Sequence, residues 1–110
     1  MPMAYKVLGQ VDAANTNLIT LYTVPSTAQS VISTVVVCNR AAANLAYNIA
    51  VSPNGASIAN AHYIAYNGVI PSLDTIALTL GLTLGNNDVI RVQATSANNL
   101  SFSVYGTEIT

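Results

Sequence analysis

Hydrophobic and polar positions alternate along most of this chain with the period of two that belongs to β-strands. Residues 45–52 show it plainly, with Leu45, Tyr47, Ile49 and Val51 expected inward and Ala46, Asn48, Ala50 and Ser52 outward. Residues 75–84 do so again, placing Ile76, Leu78, Leu80, Leu82 and Leu84 on one face and leaving Gly81 as a point of bending. A helix would spread those side chains around its circumference. Further strands are expected at 5–11, 18–24, 62–66, 89–95 and 100–106, the last with Leu100, Phe102 and Val104 inward. Turn-forming stretches separate them: Pro53-Asn54-Gly55, Asn67-Gly68, 85–88 and 96–99.

The stretch at 30–39 breaks the pattern informatively. Val31, Val35 and Val37 fall on one face by simple alternation, and Ile32, Val36 and Cys38 on the other. A strand apolar on both sides belongs near the middle of a sheet and needs cover on each face. About eight short strands at regular spacing predict a single all-β domain, residues 1–110, folded as an antiparallel β-sandwich. A jelly-roll-like arrangement is favoured over an immunoglobulin-like Greek key, because the Cys-Trp-Cys core of the latter is absent.

Charge changes the picture most. Lys6, Arg40, Arg91, Asp12, Asp74, Asp88 and Glu108 are the whole charged complement, 6% of the chain, where about 25% is ordinary. Few charges and a net charge near zero favour association. Three scattered basic residues exclude a phosphate-tracking nucleic-acid role. Frequent Asn, Ser, Thr and Pro interrupt every apolar run, so no membrane span is expected, and the first residues lack the pattern of a signal peptide. Cytoplasmic synthesis is the corresponding expectation.

Chemistry is sparse. His62 stands alone and reads as a half-buried strand residue rather than a relay or metal ligand, and Cys38 as a small apolar filler. The four acids each sit at a turn or an end, without the spacing of a calcium loop. No catalytic residue, metal site or cofactor is expected. Tyrosines with nearby asparagines suit sugar recognition, with Tyr63, Tyr66 and Asn67 as the candidate contacts. Alternation nevertheless puts Tyr63 and Tyr66 on opposite faces.

Taken together, Tyr5-Lys6-Val7-Leu8-Gly9-Gln10, Leu21-Tyr22-Thr23-Val24-Pro25, Ser33-Thr34-Val35-Val36-Val37-Cys38-Asn39 and Tyr63-Ile64-Ala65-Tyr66, with the short closing strand, resemble the small all-β virion proteins of tailed bacteriophages, particularly those infecting cyanobacteria. The resemblance implies a structural, non-enzymatic place in the virion. That place is cement or decoration on the capsid, or a component of the tail, neck or baseplate. It transfers no functional residues. Self-association, as a homotrimer, is expected through Val31, Val35, Val37, Ala46, Asn48 and Ala50. The major capsid protein or other virion proteins are the expected partners. The alternative is a tail or fibre module that binds a host surface glycan.

Overall fold

The computed structural model describes residues 3–79 and 81–110. They form nine strands: β1 (Met3–Asp12), β2 (Ile19–Thr23), β3 (Gln29–Asn39), β4 (Leu45–Ser52), β5 (Tyr63–Ile70), β6 (Thr75–Leu78), β7 (Leu82–Leu84), β8 (Val89–Ala94) and β9 (Leu100–Ile109). One sheet runs β1-β9-β3-β6, with β7 also on β3, and the other runs β2-β8-β4-β5. Every pairing is antiparallel.

The pairings are nested. β1 pairs with β9, β2 with β8, β3 with β6 and β7, and β4 with β5, as in one long hairpin with its tip at residues 53–62. Rolling that hairpin adds β9 to β3 and β8 to β4. This is a jelly roll, a pair of Greek keys in two facing sheets. In an immunoglobulin-like sandwich the first and last strands lie in different sheets; here they are neighbours.

Between the sheets, Val24, Ile32, Val35, Val37, Ile49, Ile70, Ile90, Val92, Leu100, Phe102 and Val104 are fully buried. Residues 30–39 are central as expected, with β9 on one side and β6 and β7 on the other. The expected leucine face also forms. Ile76, Leu78, Leu82 and Leu84 all turn toward the core, and Gly81, at φ +61°, separates β6 from β7. Leu80 lies outside the described residues.

Two expectations fail because of β-bulges, which insert a residue and reverse the alternation beyond it, and a third bulge shapes β1. In β3 the register shifts between Ile32 and Thr34, so Val31 faces out while Val35 and Val37 turn in. In β1 the shift falls between Val7 and Gly9 and leaves Tyr5 and Val7 exposed. Asn67-Gly68 does not end a strand. Asn67 takes φ +54° inside a bulged β5, which continues to Ile70.

The β1 and β3 bulges lie on either side of Tyr105 in β9, and the next residue, Gly106, sits between Lys6 and Ile32. A Cβ on Gly106 would collide with the Val31 carbonyl oxygen, so this close approach requires glycine.

Asn39 closes β3 from inside. Its amide nitrogen donates to the carbonyl oxygens of Ala43, Ile70 and Pro71 at 2.9, 3.2 and 3.1 Å, and its Oδ1 accepts from the Ala41 N–H at 2.9 Å. One buried side chain thereby satisfies four backbone groups of two connections. Removing it leaves buried carbonyls without donors, so Asn39→Ala is expected to cost about 2–3 kcal/mol in urea unfolding.

Candidate functional site

The register assigns a row of outward residues to each level of the β1-β9-β3-β6 sheet. From one end, the rows are Met3, Ile109 and Gln29; then Tyr5, Thr107, Val31 and Thr83; then Val7, Tyr105 and Thr34. Next come Gln10, Ser103, Val36 and Ala77, and finally Asp12, Ser101, Cys38 and Thr75. Asp12 is the lone charged residue in these rows, and it is paired with Arg40. The rows grade from apolar to hydroxyl-bearing. At the apolar end Tyr5 is 79% exposed, Met3 55%, Val7 49% and Val31 42%. A shallow groove there is lined by Tyr5, Ser33, Tyr105 and Thr107, among others.

Beneath that end a polar network joins the two sheets. Lys6 points inward from β1 to Glu108 at 2.8 Å, and the Tyr22 hydroxyl donates to Glu108 at 2.6 Å while lying 2.7 Å from the Ser30 hydroxyl. The hydrogen bond from Lys6, supported by that from Tyr22, holds the Glu108 carboxyl below its ordinary range. Burial, and then the hydrogen bond to Glu108, push the Tyr22 phenol up to about 12. Tyr22 therefore keeps its proton and remains a donor. The network fastens the apolar end of β1 to β9 and β2. Sequence reasoning missed it because the four residues are scattered along the chain, although Lys6 and Glu108 on the first and last strands were a faint signal.

The outer face of the β2-β8-β4-β5 sheet is different in kind. Asn48 donates to Gln93 at 2.8 Å and accepts from the Asn67 N–H at 2.6 Å, and Gln93 donates to the Thr16 carbonyl at 3.0 Å. Arg91 reaches Ser52 and Thr20 at 3.0 and 3.1 Å. Short 3-10 turns at Pro53–Gly55 and Asn60–His62 lie against β8 and β4. This face is largely self-bonded.

The expected assembly residues are therefore divided. Val31 is on the open face. Val35, Val37 and Ala50 are fully buried within the chain and are not available to a partner. Ala46 and Asn48 are half-buried on the opposite sheet, and Asn48 spends its amide inside the molecule.

The sugar-contact candidates gather more closely than alternation allows. The rings of Tyr63 and Tyr66 meet edge to face, centroids 5.0 Å apart and planes at 80°. They line a depression with Asn60. Asn67 is engaged through its backbone by Asn48.

The remaining candidates have local duties. His62 Nδ1 accepts from the Ala59 N–H at 3.0 Å. Asp88 accepts from the N–H groups of Asn54 and Gly85, each at 2.8 Å, and Asp74 from that of Thr75 at 2.8 Å. Cys38 is half-buried in the last row of the open sheet. Among the described residues, no three His, Cys, Asp or Glu side chains cluster as a metal site would need, and no helix is long and apolar enough to cross a membrane.

No protein-family model matches the chain, and no curated protein matches it. Among solved structures, that of infectious bursal disease virus Gx strain is similar over 97% of this chain, at 11% identity and a TM-score of 0.47. That of the Gt strain is similar over 96%, at 13% identity and a TM-score of 0.40. In each case the match spans 31% of the solved chain. The fold assignment rests on the strand pairing above and not on these likenesses.

The Glu108 network sets an acid limit on stability. A carboxyl whose folded value is depressed stabilises the fold above its ordinary value of 4.5, and that contribution fades as pH falls through the folded value. Thermal melts from pH 7 to pH 2 are expected to show this decline. Glu108→Gln is expected to remove a measurable part of its slope while leaving the remaining carboxylates to titrate.

Proposed function

We propose that this chain is a non-enzymatic structural protein of a virus particle and that the outward face of its β1-β9-β3-β6 sheet is the surface through which it assembles. One observation carries the reading: five cross-strand rows contain a single charged residue, already paired, and their apolar end is uncovered within the chain. Contiguous apolar surface of this sort marks an interaction site.

The finer reading is a cement or decoration protein on the head shell of a tailed bacteriophage, acting as a homotrimer against the major capsid protein. Such a protein works by mass action. It binds the assembled lattice and not its free subunits, so its binding free energy is added to the assembled state alone. A sheet face of this composition suits that work, because threonine and serine hydroxyls in the rows can bond across a seam without the desolvation cost of charges. The basic residues are occupied elsewhere: Lys6 with Glu108, Arg40 with Asp12, and Arg91 with Ser52 and Thr20.

The face, rather than the free edge of β1, is the proposed contact. An inward-pointing charge such as Lys6 is one device that discourages strand addition at an edge.

Sedimentation at micromolar concentration tests the assembly. The wild-type chain is expected as a trimer in low and high salt, and Tyr5→Asp and Val31→Asp as monomers, while Thr23→Asp on the opposite sheet keeps the wild-type mass. Equal masses for all four proteins would contradict the proposed face. Gold labelling of the chain on virions decides its place, with label on the head expected and label confined to the tail overturning the cement reading.

A further inference from the structure

Strand β5 is the outer edge of the second sheet, far from the proposed assembly face, and it carries an aromatic corner that the fold has gone to some length to build. Tyr63 and Tyr66 are three residues apart, a spacing that puts side chains of a regular strand on opposite faces. β5 has two register shifts, one between the partners of Tyr47 and Ile49 and one between those of Ile49 and Ala50, and the latter undoes this. The second leaves Ile64 as the extra residue between Tyr63 and Ala65, and the parity of the strand reverses between the two tyrosines. Bulges of this kind re-aim side chains beside binding sites.

The corner is also held rigid. At the 3-10 turn below it, Ala59 N–H donates to His62 Nδ1 at 3.0 Å, His62 N–H to the Ala59 carbonyl at 3.0 Å, and Tyr63 N–H to the Asn60 carbonyl. Above it, the Asn48 side chain accepts from the Asn67 N–H at 2.6 Å and fixes the bulge. The two rings brace one another edge to face, yet Tyr66 remains 71% exposed. The lining residues are Asn60, Tyr63 and Tyr66, none of them charged.

We propose that this corner binds a neutral pyranose. The open face of Tyr66 stacks on the C–H face of the sugar ring, Tyr63 forms the wall at 80° to it, and the Asn60 amide, with one acceptor and two donors, bonds adjacent hydroxyls. The absence of a cation in the lining favours neutral hexoses over sialic or uronic acids. The corner is preorganised, so little ordering cost is deducted from its contacts. This inference stands apart from the assembly reading, since it uses the other sheet and a different set of residues.

The test is saturation-transfer and chemical-shift titration with methyl β-galactoside, methyl β-glucoside, methyl α-mannoside and N-acetylglucosamine, with N-acetylneuraminic acid as the anionic control. At least one neutral sugar is expected to bind saturably at millimolar concentration and to shift the ring resonances of Tyr66. Tyr66→Ala is expected to weaken it by about tenfold or more and Tyr66→Phe by less than about threefold, a stacking signature. Asn60→Ala is expected to weaken it with the melting temperature unchanged. No saturable neutral sugar, binding of the anionic sugar alone, or equal affinity in Tyr66→Ala would overturn the proposal. So would a change in mass on Tyr66→Ala without any sugar binding, since the corner would then be a subunit contact.

Discussion

The open face depends on how β9 sits between its neighbours. β9 pairs along its length with β1 and with β3, and each neighbour carries an extra residue next to Tyr105, β1 on the Val104 side and β3 on the Gly106 side. Without the β3 bulge, Val31 and Val35 would share a face. With it, Val35 and Val37 close the core while Val31 joins Tyr5 and Thr107 on the outside. The separate shift in β1 accompanies the opposite division on that strand, with Tyr5 and Val7 exposed on one face and Lys6 bonded to Glu108 on the other, so the edge strand is tied to the sheet by its charge and shows solvent its apolar residues. Core and assembly surface are thus set by two backbone irregularities beside β9.

Scarcity of charge has different consequences on the two sheets. On the β2-β8-β4-β5 face, amides and Arg91 are spent on bonds to one another and to the chain, and the tip turns lie against it. On the β1-β9-β3-β6 face, Ser103 accepts from Gln10 and Ser33 donates to the Tyr105 carbonyl, while the threonine hydroxyls of the rows and the apolar groups make no side-chain hydrogen bond among the described residues. The acids serve turns or ion pairs. No unpaired charge remains in the rows to keep that face solvated as a lone domain would need, and this supports assembly through it.

The fold was largely legible in the sequence because alternation and turn residues report local backbone geometry. The core face of Leu100, Phe102 and Val104, the leucine face of residues 75–84 and the central place of residues 30–39 all follow from it. What stayed hidden was where alternation stops. A bulge at Ser33 or Ile64 leaves no compositional mark, since neither residue is a glycine or proline, so Val35 and Val37 were placed outside and Tyr63 and Tyr66 apart; Ala50 lies in unbroken register with β8 and outside the core cluster, so cover over that sheet and not a bulge in β4 buries it. The Lys6, Glu108, Tyr22 and Ser30 network was hidden for another reason: it is assembled by topology from four strands, and nothing local in any of them announces the others.

The row containing Val31 is the part of the surface that assembly through the β1-β9-β3-β6 face must cover. The most direct measurement is the maleimide-labelling rate of Val31→Cys in a Cys38→Ser background, read across protein concentration. Rapid labelling is expected at nanomolar concentration and strong protection at micromolar concentration, in step with the rise in mass. Labelling that stays rapid at every concentration while the protein is oligomeric would contradict assembly through this face, because the subunits would then be joined through some other surface.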